Sequence, residues 1–177
     1  MFLRRAIAGG AATNAVVLVK KNVLFVCTGN VCRSPMAEGL FRQIVAGSDY
    51  EVQSAGIAAY PGQAASPHTL SLLREEGIDI SYFRSQPLTE RLVSDATHIF
   101  VMTAGHRDAI EAQFPAAADK TYLLCEFCPD PCLLGRDVPD PIGLGREAYA
   151  ETLAIFKKAL SSVFAFIEQT FDKKKAP

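Results

Sequence analysis

Four apolar residues in a row, Val23-Leu24-Phe25-Val26, run straight into Cys27-Thr28-Gly29-Asn30-Val31-Cys32-Arg33-Ser34, and Pro35 follows. The apolar run reads as a buried strand. Pro35 suits the first turn of a helix, where its missing N–H costs nothing. Ala37, Leu40, Phe41, Ile44 and Val45 then repeat at helical spacing. A strand, a tight loop and a helix in so short a span constrain the chain strongly. The loop turns its backbone N–H groups inward, and the helix N-terminus adds partial positive charge at the same place. The result is an anion cradle headed by a cysteine, with an arginine near its end.

The spacing has a chemical reason. A thiolate is a good nucleophile and a thiol a poor one, and the loop amides, the helix end and Arg33 all favour the thiolate of Cys27. Arg33 can hold two oxygens of a phosphoryl group in a fork and stabilise charge in an in-line transition state. Ser34 can donate a hydrogen bond to the sulfur. Gly29 allows close backbone approach, and Asn30 tolerates the left-handed backbone of a tight loop. A structural cysteine beside a surface arginine would share the spacing, but not the strand before it and the helix after it.

The stretch from Val26 to Glu38 resembles the signature of the low molecular weight protein-tyrosine phosphatases, a family that includes bacterial protein-arginine phosphatases. The resemblance covers about residues 21–170. It implies a single-domain flavodoxin-like sandwich with a four-stranded parallel sheet in the order 2-1-3-4. That fold class agrees with the fourfold alternation of strand and helix along the chain, which itself indicates α/β with a parallel sheet. Such a sheet would deliver the cradle to the topological switch point at the carboxyl ends of its strands.

The resemblance also assigns roles. Cys27, Arg33 and Asp140 are the expected catalytic residues, Asp140 as the general acid of an Asp140-Pro141 pair. Thr28, Gly29, Asn30, Val31, Cys32, Arg33 and Ser34 are the expected phosphate-binding loop. Ser54, in Ser54-Ala55-Gly56, is expected beneath that loop, supporting Asn30. Cys32 is expected to form a reversible disulfide with the nucleophile; as a small apolar filler it would need no such role. No cofactor or metal is implied. Tyr82 stands where the family usually has a histidine that supports the loop, so the support is expected to be rearranged. Asp130, which precedes Pro131, is the rival for general acid; Asp137 is the other nearby carboxylate.

Elsewhere the chain reads as follows. Ser66 and Pro67 cap a helix that stops at Gly77. Pro87 to Glu90 starts a short helical turn. Thr97 to Thr103 is the third strand, with His98 expected at a surface or strand edge. Ala104 to Phe114 is a helix with His106 near its start, expected in solvent, with lining the site as the alternative, and Lys120 to Leu124 is the fourth strand. Cys125, Cys128 and Cys132 suggest zinc by spacing, but no fourth cysteine or histidine follows, so a loop of free thiols is expected. Tyr149, Leu153, Phe156, Leu160, Val163 and Ile167 form a core-facing helical stripe.

Composition bounds the partners. The formal net charge is −1, which offers no electrostatic case for nucleic acid. No apolar run reaches the length of a membrane span. Five cysteines is an odd count, with two of them in the cradle, and a reactive thiolate there favours a reducing, cytoplasmic setting. The expected organisation is a disordered extension over 1–20, a phosphatase domain over 21–172 and a frayed tail over 173–177, as a monomer or weak dimer acting on a phosphorylated protein.

The expected function is hydrolysis of phosphomonoesters on a protein side chain through a phosphocysteine. Val31 is the expected specificity residue. In the family, a branched apolar residue there accompanies tyrosine phosphatases and threonine accompanies arginine phosphatases, so valine favours phosphotyrosine. Thr28-Gly29-Asn30 and Pro35-Met36-Ala37-Glu38 resemble the arginine branch more, and the loop after Asp140 lacks the tyrosine pair of many tyrosine phosphatases, which leaves phosphoarginine as the alternative. Arsenate reductase, a redox enzyme on the same fold, is an alternative of another class. It needs a cysteine at the end of the third strand, where this chain has Met102-Thr103. A phosphate-binding module without catalysis would not need Cys27, Arg33 and Asp140 together.

Overall fold

The computed structural model describes residues 20–173, with side chains through 171. The expectations for the segment before residue 20 and for the last four residues lie outside that range. Among the described residues, strands β1 (Lys21–Cys27), β2 (Tyr50–Gly56), β3 (His98–Val101) and β4 (Thr121–Leu123) alternate with helices α1 (Arg33–Ile44), α2 (Pro67–Glu75), α3 (Glu90–Asp95), α4 (Ala104–Gln113) and α5 (Arg146–Lys173). The four strands form one parallel sheet in the order β2-β1-β3-β4, as expected.

β1 lies inside the sheet, which explains its unbroken apolar run: both of its faces are covered by helices. Val23, Phe25 and Cys27 face α1, α2 and α5, together with Leu40, Phe41, Leu73, Phe156 and Leu160. Leu24 and Val26 face the other way, with Val93 of α3 and Ile110 of α4. Phe25 packs edge-on against Phe41 at 5.5 Å between ring centroids and lies 5.9 Å from Phe100. The whole stripe from Tyr149 to Ile167 on α5 is buried in the first of these layers.

Local signals act as the sequence suggests. Ser66 accepts from the Thr69 N–H at 3.3 Å with Pro67 at the first helical position, and Gly77 takes φ 76° just past α2. β3 is shorter than the expected 97–103, because Thr103 leaves the strand to cap α4, accepting from the His106 N–H at 3.2 Å.

His98 corrects an expectation. β3 runs between β1 and β4, so it has no free edge, and His98 is 1% exposed. Its ring stacks over Phe100, and Thr97 and Thr170 hydroxyls meet its two nitrogens at 3.0 and 2.9 Å. α5 covers the face that the strand pattern alone left open.

Candidate active site

The cradle forms where β1 ends and α1 begins. Asn30 holds its tightest turn at φ 54°, the left-handed region that its short polar side chain tolerates. The Asn30 N–H points at the Cys27 sulfur at 3.3 Å, and Ser34 Oγ lies 3.0 Å from the same atom. Gly56, at the end of β2, packs so closely beneath the loop that a Cβ there would lie 2.5 Å from the Thr28 carbonyl oxygen and 2.9 Å from the Asn30 nitrogen. Only glycine admits that approach.

Asn30 is held from three sides. Its Nδ2 donates to Ser54 Oγ and to Ser34 Oγ, both at 2.8 Å. Its Oδ1 accepts the Gln86 N–H at 2.8 Å, while Gln86 Nε2 donates to the Ser54 carbonyl at 2.9 Å. Ser54 and Asn30 are therefore brought together as the resemblance implies. Tyr82 is not part of this network: it is exposed, and its hydroxyl accepts from Arg42 at 3.4 Å. Gln86 grips the asparagine, and sequence reading did not single it out because the grip uses its backbone N–H.

Arg33 is 4% exposed. Its Nη1 donates to the Val138 carbonyl at 3.2 Å, and its Nη2 is ion-paired with Asp140 Oδ2. The buried Nε has no protein partner. Asp140 is the one member of the trio of loop carboxylates that reaches the cradle. Asp137 instead caps α4, accepting from the Ala104 N–H at 2.8 Å, and Asp130 pairs with Lys158 at 2.8 Å.

His106 departs from its expected solvated position. It is 5% exposed, and its Nε2 meets Thr28 Oγ1 at 2.9 Å on the rim of the cradle. Burial, reinforced by the nearby Arg33 cation, lowers its pKa to about 4, against the opposing pull of Asp140 and Asp137. It is thus a neutral imidazole at neutral pH. The signal that could have found it is Thr103: a capping threonine at the strand end turns the first turn of α4 back over the cradle.

Val31 is half-buried against the core, with its carbonyl accepting from the Ser66 N–H at 2.8 Å. Cys32 is buried with its sulfur 3.3 Å from the Tyr149 hydroxyl, and desolvation pushes its pKa up. Cys125 and Cys128 are buried and Cys132 is exposed; burial lifts the Cys125 thiol to about 11. A thiol so disfavoured as thiolate is a poor nucleophile.

A cysteine sulfur held by a loop N–H and a serine hydroxyl, a buried arginine six residues on and a carboxylate paired with that arginine are the parts of a cysteine-dependent phosphatase. The family model described as low molecular weight phosphotyrosine protein phosphatase matches residues 22–176, and the chain belongs to that family. It is 43% identical to a protein-arginine-phosphatase of Geobacillus stearothermophilus over 72% of this chain and 82% of that one. It is 37% identical to a probable low molecular weight protein-tyrosine-phosphatase, EpsP, of Ralstonia nicotianae over 80% of this chain and 92% of that one. The crystal structure of a low molecular weight protein tyrosine phosphatase from T. tengcongensis superposes with a TM-score of 0.76 at 38% identity, covering 82% of this chain and 99% of that one.

Proposed function

We propose that this chain removes phosphoryl groups from protein side chains, with Cys27 as nucleophile, Arg33 as phosphoryl clamp and Asp140 as general acid. The observation that carries the assignment is that one loop holds both ends of the chemistry: the Cys27 sulfur on Ser34 Oγ and the Asn30 N–H, and Arg33, at the other end of the loop, tied to Asp140. The substrate's phosphoryl oxygens take Arg33 and the loop amides. Asp140 then faces a dianion instead of a cation, which favours its protonated form. The Cys27 thiolate attacks phosphorus, the bond to the leaving group breaks, and the Asp140 proton goes to that group. Ionised Asp140 next takes a proton from water, which cleaves the phosphocysteine. The positive field comes from Arg33, the amides and the start of α1. The Cys27→Ser variant, read by turnover of para-nitrophenyl phosphate, is expected to be inactive while still binding vanadate; appreciable hydrolysis by it overturns the assignment.

Phosphotyrosine is the substrate we favour, because the residue in the middle of the cradle, Val31, is apolar and half-buried. Ile142 and Leu144, which follow Asp140, add exposed apolar surface that suits an aromatic ring. Phosphoarginine is the second reading, favoured by the 43% identity to a protein named as an arginine phosphatase. Comparing kcat/KM on phosphotyrosine and phosphoarginine peptides decides between them. Buried free thiols and a thiolate nucleophile fit a reducing compartment. Among the described residues no helix is long and apolar enough to cross a membrane.

A further inference from the structure

Glu38 is a carboxylate only 7% exposed in the middle of α1, and the scheme above gives it nothing to do. It ends an unbroken chain of hydrogen bonds that starts at the nucleophile. Cys27 Sγ lies 3.0 Å from Ser34 Oγ, Ser34 Oγ 2.8 Å from Asn30 Nδ2, Asn30 Nδ2 2.8 Å from Ser54 Oγ, and Ser54 Oγ 2.5 Å from Glu38 Oε2. Every link is buried.

Counting hydrogens gives the chain a direction. An ionised carboxylate only accepts, so Ser54 donates its single hydrogen to Glu38 and its oxygen is left to accept. Asn30 Oδ1 is occupied by the Gln86 N–H, so the amide turns both Nδ2 hydrogens to the serines, one each. Ser34 Oγ therefore accepts from Asn30, and its own hydrogen is free for the sulfur. Its other acceptor, the Ala55 carbonyl, is distant at 3.5 Å. The second oxygen of Glu38 lies 2.7 Å from Arg42 Nη2, one helical turn on, and Arg42 is itself anchored on the Val52 carbonyl at 2.7 and 3.2 Å.

We propose that Glu38 is a positioning residue that sets the direction of this chain, so that Ser34 donates to the Cys27 thiolate, and that Arg42 keeps Glu38 ionised for the purpose. A neutral group at Glu38 can donate to Ser54. The Ser54 hydrogen then needs an acceptor, which Asn30 supplies only by turning its amide over and losing Gln86. The Asn30 oxygen would then draw the Ser34 hydrogen away from the sulfur. Burial pushes the Glu38 pKa up while Ser54 and Arg42 pull it back, the balance that makes an exposed arginine matter to a buried thiolate.

The inference rests on Cys27 being the nucleophile, and its test reads the sulfur without turnover. Cys27 is alkylated with iodoacetamide and followed by mass spectrometry of its own peptide, which separates it from exposed Cys132. At pH 6 the Glu38→Gln and Arg42→Ala variants are expected to react about tenfold more slowly than the unaltered protein, the scale of one hydrogen bond to a charged group. At pH 9.5, where the thiol ionises unaided, the rates should converge. Arg42→Lys, which keeps the charge, should restore the rate at pH 6. Unchanged rates at pH 6 in folded Arg42→Ala, or a loss of equal size at both pH values, overturn the proposal. Should Glu38→Gln fail to fold, the exposed Arg42 pair decides alone. Turnover by Cys27→Ser would instead sink the nucleophile assignment, a separate outcome.

Discussion

The guanidinium of Arg33, almost wholly buried, is bound to the carboxylate of Asp140, which stands 107 positions later on a loop and remains 40% exposed. The proposed clamp and the proposed acid therefore occupy one another. On the proposed reading a substrate dianion competes with Asp140 for Arg33, which couples binding of phosphate to release of the acid.

Asp140→Asn should accordingly split two effects. General acid catalysis is worth ~10²–10⁴-fold, so hydrolysis of phosphotyrosine should fall by that order and hydrolysis of an activated aryl phosphate by less. Vanadate or phosphate should bind more tightly, because a competing anion has gone. Steady-state kinetics with two leaving groups and vanadate inhibition check both. Asp130→Asn, which loses only the pair with Lys158, should leave turnover near that of the unaltered protein.

Cys32 sits in the cradle with its sulfur on the Tyr149 hydroxyl. Mild peroxide should inactivate the enzyme reversibly through a Cys27–Cys32 disulfide, with dithiothreitol restoring activity. In Cys32→Ser the same treatment should become mostly irreversible. Mass spectrometry showing Cys27 joined instead to Cys125, Cys128 or Cys132 would overturn this and revive the reductase alternative.

His106 predicts a pH dependence of stability. Its folded pKa of about 4 is lowered from 6.5, so the native state favours the neutral ring. Between those values the unfolded chain binds the extra proton, so this contribution is complete above pH 6.5 and is lost as pH falls towards 4. The shift corresponds to at most ~3 kcal/mol. His106→Phe should lose that part of the acid sensitivity: its thermal midpoint should fall less between pH 7 and pH 4.5 than that of the unaltered protein. An equal fall in both would refute the buried neutral ring.

Val31→Thr should raise phosphoarginine turnover relative to phosphotyrosine turnover, because a hydroxyl replaces a methyl at the same shape in the centre of the cradle. The ratio of the two kcat/KM values before and after the change measures it. An unchanged ratio removes Val31 as the specificity residue.

Much of this molecule is local in origin and therefore legible in the chain. The strand, cradle and helix from Val23 to Val45 follow from hydrophobic period, a glycine, a left-handed asparagine and a proline at the helix start, all within reach of one another. The Tyr149 to Ile167 stripe announces its own buried face. What tertiary structure decided is which distant groups meet. Gln86 reaches Asn30 with a main-chain N–H that any residue but proline would supply, and its side chain meets the Ser54 carbonyl only because the loop passes there. His98 and His106 are polar residues on short elements, and their burial depends on α5 and on the cap at Thr103. Asp137 and Asp140 differ by three positions, yet one caps α4 and the other meets Arg33, a division set by the path of the loop between them. Local chemistry specifies the cradle because its atoms are bonded near one another; the groups that tune it come from separate strands and loops, and only packing brings them there.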